Sequence, residues 1–174
     1  MARAMTAITT ATLSNAAASY TFTSIPSNYT DLLIVAKVKG SSTNYGSVKM
    51  VLGTGGTLNS TSSKSQIAFY GNNTSAGREI LLDLTQFDLC RASGISSDQW
   101  GIHRIRFNNY SNTSIHKNFF CRTSLAKGTG KGVEAITGTW RNTGAIDTIK
   151  LESTASGNPF AAGSTFTLYG IRSI

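Results

Sequence analysis

Apolar and polar residues alternate along many short runs of this chain. In Gly163–Ile171, for example, Phe166 and Leu168 are separated by threonine and tyrosine positions. A period of two is typical of a strand that buries one of its faces. Runs of this kind predict strands over residues 19–23, 31–39, 45–52, 66–70, 101–108, 117–126, 131–141, 145–152 and 163–171.

Glycine, asparagine, serine and threonine cluster between these runs. Residues 53–65 and 71–78 are so rich in them that we predict long surface loops there. Residues 79–84 and 87–91 are expected to form either a strand pair or an irregular segment. Regularly spaced strands and turns favour a sandwich or a barrel, and we expect a jelly-roll-like β-sandwich of roughly eight to ten antiparallel strands.

The composition supports an all-β domain. Only 14% of the 174 residues are charged, and the chain has 17 glycines but 2 prolines. This length suits one domain with a proper hydrophobic core. We predict an extended N-terminal arm over residues 1–13, followed by a single β-sandwich domain over residues 14–174.

The N-terminal residues lack the apolar core of a signal peptide, and the chain has no apolar run of transmembrane length. We therefore expect synthesis in a cytoplasm and no membrane partner.

Basic residues outnumber acidic ones, 16 to 8, which gives a net charge of +8. No five-residue run is basic, which argues against a nucleic-acid-binding tail. Arg104 and Arg106 alternate with apolar residues in the predicted strand at 101–108. Such a face suits an acidic protein surface, an anionic glycan or nucleic acid, or it stays solvated without a partner.

Catalytic motifs are missing from the sequence. Gly53–Gly56 lacks the Lys-Ser/Thr that follows in a phosphate-binding loop, so a turn is favoured. His103 and His116 have no zinc-ligand spacing to Cys90 or Cys121. The two cysteines lie in predicted strands, where buried free thiols are favoured over a disulfide. The sequence predicts no catalytic residue, no metal site and no cofactor.

Three blocks carry a resemblance to a known family. They are Ser24–Ile34 (SIPSNYTDLLI), Ile136–Ile146 (ITGTWRNTGAI) and Gly163–Ile171 (GSTFTLYGI). In this order they resemble small β-sandwich virion proteins of tailed bacteriophages, especially phages of aquatic bacteria and cyanobacteria. The resemblance implies a non-enzymatic virion component, which is a capsid decoration protein, a head fibre or a tail-appendage domain.

Our leading hypothesis is a decoration (cement) protein that binds the major capsid protein on the outer surface of the phage head. An N-terminal arm would add extended contacts along the shell. A homotrimer or another homo-oligomer is expected, because capsids offer symmetry axes. The predicted partner-binding residues are Arg3, Met5, Ile8, Arg104 and Arg106.

The alternative is a tail-fibre or receptor-binding domain that recognises host polysaccharide through its loops. Tyrosine rings and asparagine amides suit sugar binding. The predicted glycan contacts are Tyr45, Tyr70, Asn72, Asn73 and Tyr110. A polysaccharide depolymerase is a third hypothesis, with the least support from the residues.

Overall fold

The computed structural model describes residues 3–43, 46–72, 75–90, 95–125, 132–154 and 158–173, with the backbone alone at 3, 72 and 173. Every helix or strand element among these residues is a strand. The strands are β1 (Arg3–Thr12), β2 (Ser19–Phe22), β3 (Asp31–Val38), β4 (Val48–Thr54), β5 (Thr57–Leu58), β6 (Lys64–Asn72), β7 (Ala76–Leu84), β8 (Phe87–Asp88), β9 (Gly101–Asn108), β10 (Lys117–Leu125), β11 (Gly132–Trp140), β12 (Thr148–Ser153) and β13 (Thr165–Ser173).

The strands form two antiparallel sheets. The larger sheet has eight strands in the order β1-β13-β3-β9-β10-β11-β6-β7. The smaller sheet has the order β2-β12-β4-β5, with β8 beside β4. This arrangement confirms the predicted all-β sandwich. The described strands are more numerous than expected, because the two-residue strands β5 and β8 add to the number, β1 forms where an arm was expected, and β7 begins within an expected loop.

The core lies between the two sheets. In β10, every second residue from Lys117 to Leu125 is buried and the others are exposed, as the period-two pattern predicts. Aromatic pairs join the layers: Phe87 and Phe119 meet edge to face at 4.6 Å, and Tyr20 stacks on Phe166 at 4.9 Å. The residues of the large sheet that alternate with the core residues therefore face away from the small sheet.

The N-terminal segment is a strand of the domain, not a separate arm. Its residues pair antiparallel with β13, from Arg3 opposite Ser173 to Thr12 opposite Thr165. A bulge between Ala7 and Thr9 shifts the register. The alternation that marks a strand is weak in this segment of small residues, so its pairing depends on the exposed edge that β13 offers.

Residues 71–78, expected as a surface loop, are also partly strand. Gly71 and Asn72 end β6, and Ala76 to Arg78 begin β7. Cross-strand pairing overrides the weak strand propensity of glycine and asparagine here. By contrast, Gly55 and Gly56 have φ values of 60° and 74° and form the tight turn between β4 and β5, which confirms the predicted turn.

Candidate binding surface

The large sheet has a solvent-facing side that we call the outer face. It is formed by the outward residues of β6, β7, β9, β10 and β11. Of the eight large hydrophobic side chains exposed among the described residues, six lie on this face. These six are Phe69, Ile80, Leu82, Ile102, Phe120 and Val133.

Cross-strand register sets these residues in rows. One row runs from Ile80 through Ile67 and Thr137 to Phe120 and Arg106. The row beside it runs through Arg78, Phe69, Ala135, Arg122 and Arg104. Directly opposite side chains in a sheet lie about 5 Å apart, so each row is a continuous strip of contacts. The outer face is therefore both apolar and basic.

Arg104 and Arg122 stand directly opposite each other on β9 and β10. Like charges in this position destabilise a sheet. The salt bridges found among the described residues involve other groups, so neither arginine has a carboxylate partner there. Arg122 lies 5.5 Å from the ring centre of Phe120, which is a cation–π contact. Within the described residues, the Phe120 ring is thus a favourable contact of Arg122, but no carboxylate neutralises either arginine.

Arg106, two residues further along β9, differs from Arg104. Its Nη2 donates to Oδ2 of Asp31 at 2.8 Å, and Asp31 is 5% exposed. The same carboxylate accepts a hydrogen bond from the N–H of Asn109 at 3.2 Å. Arg106 is thus part of an ion pair that holds the end of β9. The alternation in the sequence did not distinguish it from Arg104, and both were predicted to bind a partner.

A groove of about 530 Å³ lies on the outer face beside the arginine pair. Its apolar walls are Phe69, Ile102 and Val133, and Val133 is 63% exposed. Arg104 and Arg122 also line it. The remaining lining residues are mostly small or polar: Tyr70, Gly71, Thr123, Ser124, Glu134 and Ala135.

The core side of β9 and β10 behind this groove is buried and polar. Nδ1 of His103 lies 2.9 Å from Oγ1 of Thr123, whose hydroxyl donates to the carbonyl oxygen of Leu89 at 2.8 Å. Thr123 therefore accepts the Nδ1 hydrogen, and Nε2 is a buried acceptor that finds no partner among the residues that the structure describes. Desolvation lowers the pKa of His103 to about 4, so the imidazole is neutral at pH 7.

The two cysteines are free and buried, as the sequence favoured. Burial raises the pKa of Cys121 to about 12 and also raises the pKa of Cys90. Because the thiolate is the nucleophilic form, both thiols are inert at neutral pH.

Sequence reasoning missed two buried lysines that flank Trp140. Lys64 and Lys117 stand opposite Trp140 on either side, and they are 0% and 1% exposed. The Nζ of Lys117 donates to the carbonyls of Ile115 at 2.7 Å and Thr143 at 2.9 Å, and also to the carbonyl of Asn112. Burial lowers the pKa of both lysines.

Lys64 is held in a similar way. Its Nζ donates to the carbonyls of Asn59 at 2.8 Å and Thr61 at 3.2 Å. In both places an asparagine lies five residues before the lysine, and its Oδ1 accepts a backbone N–H two residues on. The sequence signal is Asn, two hydroxyl residues, two further residues and Lys, which occurs at 59–64 and 112–117. These lysines are structural, so they do not add to the outer face.

The predicted partner-binding residues are not brought together. Met5 is 56% exposed on β1, at the opposite edge of the sheet from β7. Ile8 lies at the bulge and packs against the core. The backbone of Arg3 pairs with Ser173, and its side chain is outside the described residues. Of the five, Arg104 alone lines the groove.

The predicted glycan contacts do not form one site either. Tyr110 is fully buried and its hydroxyl donates to the carbonyl of Pro26, so the prediction that it contacts glycan was wrong. Tyr70 is half-buried, and its ring lies where a side chain at Gly77 would be. Tyr45, Asn73 and the side chain of Asn72 are outside the described residues. An amphipathic strand pattern cannot distinguish an exposed loop tyrosine from one that turns into the core.

Within the described residues, no group of three His, Cys, Asp or Glu side chains is placed to hold a metal ion. The same residues include no helix that is long and apolar enough to span a membrane. The fold and this surface thus define an all-β sandwich with a basic, apolar sheet face. Comparisons with family models, curated proteins and solved structures find no match to this chain.

Proposed function

We propose that this protein is a non-enzymatic attachment protein that docks onto a larger protein assembly through its outer face. The resemblance of the three sequence blocks implies that this assembly is the virion of a tailed bacteriophage, and among the head and tail components that it allows we favour a protein of the head. The protein would then be a decoration protein, bound to the major capsid protein and stabilising the shell. The observation that carries the proposal is the outer face itself, where six large hydrophobic side chains are exposed together with an arginine pair that has no carboxylate partner among the described residues.

Interface composition supports this choice. The buried centres of protein interfaces are apolar, depleted in lysine and glutamate and enriched in aromatic residues and arginine. Phe69, Phe120, Arg104 and Arg122 supply those residue types on neighbouring strands. Exposed hydrophobic residues extend over β6, β7, β9, β10 and β11, and so broad a face suits the surface of a shell better than it suits a small ligand, which is normally enclosed in a cleft.

The test uses particles of the phage that encodes the chain. We expect the protein on the head, in fixed ratio to the major capsid protein, when particles are quantified by mass spectrometry and imaged by electron microscopy. Shells that lack the protein should rupture at a lower temperature and regain stability when the purified protein is added.

Variants connect this result to the outer face. Phe69→Ser and Val133→Ser should weaken attachment, because both remove exposed apolar area from the face. Ile115→Ser is the matched control, since Ile115 is 45% exposed but lies between strands, outside the face. A few copies per particle, or equal loss of attachment in all three variants, would contradict the proposal. Location on the tail would favour the receptor-binding alternative.

A further inference from the structure

We propose that the groove between β6, β11, β10 and β9 binds an extended acidic segment of the partner protein. One carboxylate of that segment would bridge Arg104 and Arg122. Aliphatic side chains on either side of the acidic residue would pack against Phe69, Ile102 and Val133. This inference rests on the proposed function and specifies the chemistry of the partner.

The arginine pair provides the charge argument. Two guanidinium groups on directly opposite residues repel each other, and no salt bridge among the described residues joins either of them to a carboxylate. Glu134 also lines the groove, but it is buried, at 3% exposure. A carboxylate placed between them would reverse this repulsion and accept charge-assisted hydrogen bonds from both. Because the two positive charges repel each other until a negatively charged group binds, we expect the ligand to be an anion.

The apolar walls of the groove favour a peptide over an inorganic anion as the ligand. An inorganic ion between the arginines would leave Phe69, Ile102 and Val133 exposed to water, so the groove would contribute nothing to its affinity. A segment that carries apolar groups beside its carboxylate buries these walls as well. Small lining residues, Gly71, Ser124 and Ala135, leave room for a backbone to approach the sheet.

The size of the groove fits a short extended segment. Four neighbouring strands about 4.8 Å apart span roughly 14 Å, which is about four residue rises and therefore the span of a five-residue extended segment. An extended segment turns alternate residues toward the groove. The expected recognition pattern is therefore apolar, any residue, Asp or Glu, any residue, apolar.

The experiment titrates the full 174-residue protein with acetyl-Val-Ser-Glu-Ser-Val-amide and follows its NMR spectrum. We expect shifts at the backbone amides that line the groove and at the Nε–H groups of Arg104 and Arg122. The matched peptide with Gln in place of Glu should bind roughly tenfold more weakly, since it lacks the charge that the arginines neutralise. Equal binding of the two peptides would overturn the carboxylate assignment.

Variants at the pair complete the test. Arg104→Gln and Arg122→Gln should each reduce binding of the Glu peptide to about the level of the Gln peptide. Arg172→Gln is the control, because Arg172 is exposed at the far end of β13 and contacts Tyr29 instead. The NMR spectrum of each free variant shows whether it is folded, and Arg122→Lys, which keeps the charge, should retain part of the affinity.

The outcomes separate this inference from the proposed function. Peptide binding that needs both arginines, without attachment to phage particles, would leave the groove assignment standing and contradict the decoration role. Attachment that is unchanged in Arg104→Gln and Arg122→Gln would overturn the groove assignment and leave the decoration role standing.

Discussion

Two pairs of basic residues on the large sheet differ in what surrounds their charge. Lys64 and Lys117 are buried beside Trp140, and each ammonium group donates to oxygen acceptors of a nearby loop. Arg104 and Arg122 are exposed, adjacent, and without a carboxylate among the described residues. The hydrogen bonds of the two lysines hold loops of the fold in place, whereas the repulsion between the two arginines is unfavourable to the fold.

This contrast shows that net charge does not locate a binding surface. The excess of 8 basic residues includes groups that hold loops in place and groups that need an external partner. A buried ammonium is tolerated only where its hydrogens are accepted. An exposed pair of like charges is tolerated at a small cost, and function can offset that cost.

The largest effect is expected at the buried lysines. Lys117→Met keeps the apolar stem but leaves three carbonyl oxygens without their donor. We expect a loss of about 3–5 kcal/mol in the free energy of unfolding, because each buried acceptor without a partner costs about 1–3 kcal/mol and water offsets part of the sum. Chemical denaturation measures the change. Lys37→Met, at an exposed position of β3, is the control and should change stability little.

His103 sharpens the contrast, because it is buried and its Nε2 has no hydrogen-bond partner within the described part of the chain. Its pKa is about 4 when folded, against 6.5 when unfolded. Above pH 6.5 both states are neutral; as the pH falls from 6.5 to 4, only the unfolded state takes up the proton. Folding should lose up to about 3 kcal/mol over this range.

The measurement is unfolding free energy against pH. His103→Gln should remove most of this slope, whereas His116→Gln should keep it, because His116 is exposed. A wild-type profile that is flat between pH 6.5 and 4 would show that His103 is not buried in the neutral form.

The smallest effect is expected at the arginine pair, and it has the opposite sign. Arg104→Gln should raise the free energy of unfolding by about 0.2–1 kcal/mol at low salt, since it removes a like-charge cross-strand pair and keeps the contact between Arg122 and Phe120. Added salt should reduce the gain by screening the repulsion. Arg78→Gln, on the exposed edge strand, should show no such gain. A net destabilisation by Arg104→Gln would mean that the pair is structural.

Much of the fold was predictable because strands with one buried face show an alternation of apolar and polar residues in the sequence. The predicted strands at 101–108, 117–126 and 131–141 agree with β9, β10 and β11 to within one residue at each end. β1 and the start of β7 were missed, since small and polar residues show no clear alternation. Those segments are strands because β13 and β6 offer edges to pair with.

Less of the candidate surface was predictable. Arg104 was selected correctly as a member of an outward strand face, but nothing in the sequence paired it with Arg122, which follows 18 residues later. Arg106 alternates with apolar residues in the same way as Arg104, but its charge is neutralised by Asp31, which lies 75 residues earlier in the sequence. Both outcomes depend on which strands become neighbours.

Local alternation and turn chemistry determined the all-β class, the main strands and the side of each strand that faces the core, because these properties depend on residues close together in the chain. Strand order and register decided which side chains stand opposite each other. They alone distinguished a neutralised arginine from an exposed pair, and a buried tyrosine from a loop tyrosine. The cost of a charge depends on its neighbours in space, which the order of residues along the chain does not reveal.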